Sequence, residues 1–264
     1  MIPKIIHYCW FGGKPLPELA IKCIESWKKY CPDFEIIQWD ESNFDITCND
    51  YCKEAYEQKK YAFVSDVARL MIVNKFGGVY LDTDVELIKP IDDLLVNKAF
   101  FGFEDDEYIN TGLGFGSCSD NPVLEALLDD YKNIHYKLEE ELFDNIPCTI
   151  RNDAVFSKFG LNKFSKTPQE IEGCLFLTKE YLCPINPSTR ECNICQKTYS
   201  IHRFAGSWLT PEDELTLKIR TGIFSKNSSK FFDYLARLLA CLRYRGIKKS
   251  LQETKKWICK LKGD

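Results

Sequence analysis

A strand pattern, a helix pattern and a second strand pattern follow one another at the start of the chain, and that order restricts the architecture more than any other feature. Ile2–Phe11 is rich in apolar residues and meets Gly12-Gly13 and two prolines, so it reads as a strand running into a loop. Leu19, Cys23, Trp27 and Tyr30, with Ala20 and Ile24 beside them, recur at helical spacing until Pro32 ends the run. Phe34–Trp39 is the second strand. A β-α-β start predicts an α/β sheet.

The rest of the chain extends that plan. Asn49–Lys60 and Tyr61–Phe76 have helical patterns, the second closed by Gly77 as a C-terminal cap, and a short strand follows at once. Ala99–Glu104 and Thr111–Cys118 are further strand candidates, and Asn121-Pro122 opens a helix expected to reach His135. Lys137–Phe143 and Asp153–Phe159 are expected to be helical, and Gly173–Leu177 and Tyr199–Phe204 to be strands. From Ser228 to Lys260 only helix patterns remain, with Phe231, Leu235, Leu238, Leu239 and Leu242 as an apolar stripe and Gly246 as a divider. The expected organisation is an α/β domain over residues 1–217 and a basic helical appendage over 218–264.

Composition narrows the class. With 264 residues, 45% apolar and 28% charged, the chain is long enough for a sizeable core and reads as a soluble globular protein. Its thirteen cysteines follow a start that has no charged n-region, apolar h-region or cleavage site, so the expectation is a cytoplasmic protein with mostly reduced thiols. Cys192-x-x-Cys195 and Cys48-x-x-x-Cys52 each lack a second matching pair, which argues against structural zinc. No window approaches the roughly 18–20 apolar residues of a membrane span. Net charge is −4, yet Lys218 to Lys262 holds thirteen Lys or Arg against Asp233 and Glu253, so a basic tail follows an acidic body.

Three constellations can carry chemistry. Residues 76–84 read Phe-Gly-Gly-Val-Tyr-Leu-Asp-Thr-Asp, and if strand geometry persists through Thr83, Asp82 and Asp84 point the same way. Such a pair offers a divalent cation two hard oxygen ligands at the carboxyl end of a strand, where α/β sheets bind ligands. Solvated turn acids have the same spacing. Asp66 and Arg69 share one face of an otherwise apolar helix, either as an ion pair that locks the helix or as groups that hydrogen-bond a polyhydroxylated ligand. Trp10, at the end of the first strand, is either a core tryptophan or a platform on which a nucleotide base stacks.

Four motifs together resemble a known family: Ile2-Pro-Lys-Ile-Ile-His-Tyr-Cys-Trp-Phe-Gly-Gly13, Tyr61-Ala-Phe-Val-Ser-Asp-Val-Ala-Arg69, Gly77-Gly-Val-Tyr-Leu-Asp-Thr-Asp84 and Ile201-His-Arg-Phe-Ala-Gly-Ser-Trp208. Their order and spacing resemble the glycosyltransferase family 32 sugar-transferase domain over about residues 1–210. The chain looks like a bacterial capsule or surface-polysaccharide member, related to the fungal initiating mannosyltransferases and more distantly to the large clostridial glucosylating toxins. The resemblance implies a GT-A-like α/β fold and metal-dependent, retaining transfer of a hexose from a UDP- or GDP-sugar to a glycan or lipid-linked glycan. It implies that Trp10 stacks on the base, that Asp66 and Arg69 bind the donor sugar, and that Asp82 and Asp84 hold the ribose, the diphosphate and Mn²⁺ or Mg²⁺. Asn110 matches an amide near the transferring sugar, and Ser207 and Trp208 match a loop that closes over the diphosphate. His202, four residues before Gly206, resembles a histidine that completes the metal site in a related retaining family; a structural role is the other reading.

Two rival functions stand beside this one, a nucleotide-sugar hydrolase or donor-binding protein without transfer, and a non-catalytic interaction module. Nucleic acid is not an expected partner, because the body is acidic and no basic patch crosses the motifs. The basic tail is either a solvated helical cap or an attachment to an anionic membrane surface, which would place the enzyme peripherally on the cytoplasmic membrane face.

Overall fold

The computed structural model describes residues 1–140, 142–186, 190–206, 211–223 and 230–261. The chain divides into two compact units, one of residues 1–185 and 192–205, the other of residues 186–191 and 206–264.

In the first unit the chain runs through β1 (Ile5–Cys9), α1 (Glu18–Tyr30), β2 (Glu35–Trp39), α2 (Asp50–Glu57), α3 (Tyr61–Phe76), β3 (Gly78–Tyr80) and β4 (Val85–Leu87). It continues through β5 (Ala99–Gly102), β6 (Phe115–Ser117), α4 (Pro122–Asp129), β7 (Lys137–Glu139), β8 (Leu142–Phe143) and α5 (Cys148–Phe156). The last elements are β9 (Gln169–Ile171), β10 (Cys174–Leu177), α6 (Lys179–Leu182) and β11 (Ser200–His202). Seven strands form one sheet in the order β2-β1-β3-β6-β5-β10-β9, with β6 antiparallel to both its neighbours. This mixed sheet flanked by helices is the GT-A-like α/β arrangement that the resemblance implies.

The β-α-β start is present: β1 and β2 pair in parallel, from Ile5 opposite Glu35 to Cys9 opposite Trp39. On the other side of β1, β3 also pairs in parallel, so the chain reverses its direction of winding at β1. A ligand crevice forms at the carboxyl ends of two such strands. Two apolar cores cover the sheet. Val64, Val67, Ala68 and Val73 of α3 pack into one core, and Trp27 and Ile24 of α1 into the other. Trp27 donates its indole N–H to the Val85 carbonyl at 2.7 Å, tying α1 to β4.

The turn from α3 into β3 depends on glycine. Gly77 and Gly78 have φ of 66° and 104°, and a Cβ on Gly78 would lie 2.8 Å from the Ile5 carbonyl oxygen. Buried His7 fills the space beside them. Trp39 donates to its Nδ1 at 3.1 Å, so its Nε2 carries the proton and donates to the Gly77 carbonyl at 2.9 Å. Burial lowers the pKa of this satisfied neutral ring.

Several sequence expectations differ from the structure. Lys137–Phe143 is a hairpin of β7 and β8, because Glu54 on α2 accepts the Lys137 amide at 2.9 Å and the His135 ring, while Leu138 and Leu142 stay exposed and supply no buried helical face. The helix opened by Pro122 ends at Asp129, well before His135. The strand expected over Thr111–Cys118 begins only at Phe115, since Asn110 folds the preceding residues into a turn by accepting the Gly112 amide at 2.6 Å. The helix expected at Asp153 already starts at Cys148, just after Pro147, and passes into a 3₁₀ turn over Ser157–Phe159.

The second unit contains α7 (Pro211–Gly222) and α8 (Lys230–Leu261). Ion pairs Arg220–Asp233 and Arg245–Glu212 at opposite ends of the two helices make them antiparallel. Gly246, with φ 75° and ψ 178°, breaks α8 into segments 230–245 and 247–261. Among the described side chains α8 fully buries Ala236, Ala240, Cys241 and Ser250, whereas of the expected apolar stripe Leu235 and Leu238 are half-buried and Phe231, Leu239 and Leu242 are exposed.

Candidate metal and nucleotide-sugar site

The carboxyl ends of β1 and β3 lie side by side, and the candidate residues gather there. Trp10 follows β1, partly exposed, with its ring fixed by a 2.6 Å hydrogen bond from the indole N–H to the Lys14 carbonyl. Asp66 and Arg69 lie one turn apart on α3 and form an ion pair. Arg69, only 3% exposed, also reaches Asp82 Oδ1 at 3.5 Å. The pair has the ion-pair geometry of the first reading, and Arg69 also contacts a carboxylate of the Asp-x-Asp motif.

The strand does not persist through the motif. β3 ends at Tyr80, and the Val85 amide returns to the Asp82 carbonyl at 3.0 Å, so a turn separates β3 from β4. Asp82 and Asp84 converge through their neighbours, not through the alternation of a strand. Asp82, 30% exposed, accepts the Tyr80 hydroxyl at 2.9 Å in addition to Arg69. Its partly buried position raises its pKa, with Arg69 opposing the rise and Asp84 adding to it.

Asp84 is held from the other side. β11 pairs with β4 so that His202 lies opposite Val85, which brings the imidazole Nε2 within 3.2 Å of Asp84 Oδ1. The Ala205 amide donates to Asp84 Oδ2 at 2.7 Å. Burial alone would raise the Asp84 pKa, but His202 and the Ala205 amide hold it below the usual carboxylate range. Burial would likewise lower His202, yet Asp84, together with Cys183 and Asp82, raises it to about 10. Adjacent carboxylates are thus driven in opposite directions.

One ligand atom from each of Asp82, Asp84 and His202 falls within 4.8 Å of the others. Two carboxylate oxygens and an imidazole suit Mn²⁺ or Mg²⁺, with the hard oxygens favouring both and the nitrogen favouring Mn²⁺. The two carboxylates fit a divalent cation in residue type and in convergence, and His202, protonated while it faces Asp84, completes the set by giving up that proton.

Asn110 joins the site through Gly112. Its side-chain oxygen accepts the Gly112 amide at 2.6 Å, and the Gly112 carbonyl accepts the Asp82 amide at 3.3 Å. Its amide nitrogen donates to Glu104, which sequence reasoning did not single out. Burial raises the Glu104 pKa, and the Asn110 hydrogen bond opposes the rise. The available signal was an acid that ends the apolar run Ala99–Phe103, much as Asp82 ends the apolar run Val79–Leu81. Gly112 was also missed: a Cβ there would stand 2.3 Å from Asp82 Oδ2. Ser207 and Trp208 lie outside the described residues.

The model of the glycosyltransferase sugar-binding region containing the DXD motif matches residues 17–101. That span contains Asp66, Arg69, Asp82 and Asp84. The chain is 33% identical over 223 residues to the uncharacterized glycosyltransferase L373 of Acanthamoeba polyphaga mimivirus, an alignment covering 79% of this chain and 84% of that protein. It belongs to the DXD-containing glycosyltransferases. Inositol phosphoceramide mannosyltransferase 3 of Schizosaccharomyces pombe is 36% identical to this family member over 98 residues, which cover 36% of the chain and only 27% of the yeast protein's length. Among solved structures, the PaToxG glycosyltransferase is similar at 18% identity and a TM-score of 0.48, over 60% of this chain and 68% of that one.

Proposed function

We propose that this chain is a metal-dependent, retaining hexosyltransferase that moves a sugar from a UDP- or GDP-sugar to a glycan or lipid-linked glycan in surface polysaccharide synthesis. The observation that carries the reading is the convergence of the Asp66–Arg69–Asp82 chain with the Asp84–His202 pair at the carboxyl ends of β1 and β3. In this reading Trp10 stacks on the base and Asp66 accepts from donor-sugar hydroxyls. Arg69 holds Asp66 and Asp82 in place and compensates their charge. Asn110, oriented by Glu104 and Gly112, lies near the transferring sugar.

Asp84 and Asp82 would hold the cation with His202, Asp84 as the direct ligand and Asp82 shared with the ribose. Mn²⁺ or Mg²⁺ supplies Lewis-acid stabilisation of the charge that develops on the departing diphosphate. The carboxylates beside the sugar favour an oxocarbenium-like transition state. No acid in the site is left without a binding role, so front-face attack assisted by the leaving phosphate is preferred to a covalent nucleophile. The Schizosaccharomyces pombe relative is a mannosyltransferase by name, which makes mannose the first hexose to test. Free cysteines, among them exposed Cys192 and Cys195, suit a reducing, cytoplasmic setting.

Thermal-shift screening of UDP- and GDP-sugars with and without Mn²⁺ tests the reading. At least one nucleotide sugar is expected to stabilise the protein only when metal is present, and Asp84→Ala is expected to abolish that shift. No metal-dependent shift with any of them would overturn the proposal. Turnover that needs no acceptor would instead support the hydrolase.

A further inference from the structure

We infer that the bend at Gly246 in α8 is a docking surface for an anionic lipid bilayer. An amphipathic helix pair ordinarily buries its large apolar residues and shows solvent its small and polar ones. In the second unit α8 half-buries Phe232, Leu235 and Leu238 and buries Ala236, Ala240, Cys241 and Ser250, while Leu239 and Leu242 remain exposed. Beyond them, on either side of the bend, Tyr244 is 53%, Ile247 72% and Leu251 58% exposed. Ile247 and Leu251 are four residues apart and so share one face of the segment 247–261.

Charge decides what covers this apolar surface. Arg237, Arg243, Lys248 and Lys249 are exposed along the same stretch and make no ion pair among the described residues. Among the acids of α7 and α8 whose side chains are described, Asp233 pairs with Arg220, Glu212 with Arg245 and Glu214 with Lys218. A second copy of this chain would bring the same uncompensated positive charge against itself. An anionic bilayer offers headgroup charge to the lysines and arginines, acyl chains to Leu242, Ile247 and Leu251, and an interface suited to the amphipathic Tyr244 ring. Gly246 breaks the helix between Tyr244 and Ile247, so exposed apolar and basic residues lie on both sides of the bend. No helix among the described residues is long and apolar enough to cross a membrane, so the contact is peripheral.

The inference does not rest on the catalytic reading, and its test needs neither donor nor acceptor. The full chain is sedimented with vesicles of phosphatidylcholine alone and with phosphatidylglycerol added, at low and high salt. Binding is expected only to the anionic vesicles and is expected to weaken with salt. The pair Lys248→Glu and Lys249→Glu should lower partitioning by roughly tenfold or more, since each basic residue near the surface contributes several-fold. Ile247→Ser with Leu251→Ser should lower it similarly, while donor-independent thermal unfolding stays that of the parent. As a second readout, the emission of Tyr244→Trp should shift to the blue with anionic vesicles only. Equal binding to both vesicle types, binding to neither, or variants that bind like the parent would overturn the inference. So would a dimer that the same variants dissociate without vesicles.

Discussion

A Cβ at position 112 would lie 2.3 Å from Asp82 Oδ2, 3.0 Å from Asn110 Oδ1 and 3.3 Å from Arg69 Nη1. Gly112 is not among the residues with positive φ, so alanine meets no backbone strain there and the perturbation is one misplaced methyl group. Ordinary contact begins near 3.4 Å, so the Asp82 carboxylate must withdraw by about 1 Å. It cannot do so freely, because its other oxygen is tied to the Tyr80 hydroxyl and to Arg69. A displacement of ~1 Å in a positioned group costs about 100-fold in rate, equivalent to ~2.7 kcal/mol of transition-state stabilisation. The crowding itself should cost about 1–3 kcal/mol of stability. Gly112→Ala is therefore expected to remain folded with a lowered melting temperature and to lose about 100-fold in kcat/KM for the nucleotide sugar identified by thermal shift. Gly222→Ala, where a Cβ meets nothing within 4 Å, serves as the control and should behave as the parent. A Gly112→Ala enzyme with parental kcat/KM would refute the claim that the tight Gly112–Asp82 contact sets the geometry of the site.

Glu104 should act on Asn110 and not on metal, so Glu104→Ala should lower kcat/KM by roughly tenfold, as loss of one buried hydrogen bond implies, while leaving the Mn²⁺ dependence of the thermal shift unchanged. Glu104→Gln, which can still accept from Asn110, should recover most of that loss; equal damage in both variants would assign the effect to charge. His7 gives a pH prediction. Burial lowers its pKa from 6.5, so the folded protein binds fewer protons than the unfolded chain just below that value. Its contribution to stability is complete above pH 6.5 and is lost as pH falls from there toward the lowered folded value. An NMR titration of the His7 ring in the folded protein should show it less than half protonated at its ordinary midpoint, and a normal curve would contradict the buried, doubly bonded imidazole.

Much of the architecture was legible because it is local. Period-3.6 apolar spacing marked α1 and α3, Gly77 marked the end of α3, and the two strand patterns around α1 became the parallel pair β1–β2. Asp66 and Arg69 were recognisably on one face for the same reason, since a helix fixes the geometry of residues three apart. Lys137–Phe143 was not legible, because what decides it is the Glu54 carboxylate on a distant helix accepting its backbone amide. A helical pattern is only a weak preference when no buried face supports it.

The candidate site divides along the same line. Residue type and spacing alone singled out Asp82, Asp84, Asp66, Arg69 and Trp10, because hard oxygen ligands, a guanidinium among apolar residues and an aromatic at a strand end each carry their chemistry in the sequence. Tertiary structure decided how they meet. The convergence of Asp82 and Asp84 comes from a turn and from separate partners, and His202 reaches Asp84 only through the β11–β4 register. Glu104 and Gly112 owe their importance to Asn110 and Asp82 lying against them, and the exposed side of α8 was set by which residues α8 buries. The physical reason is common to all of these: side-chain periodicity is written residue by residue, whereas pairing between distant segments is chosen by the packing of the whole chain, which no short stretch contains.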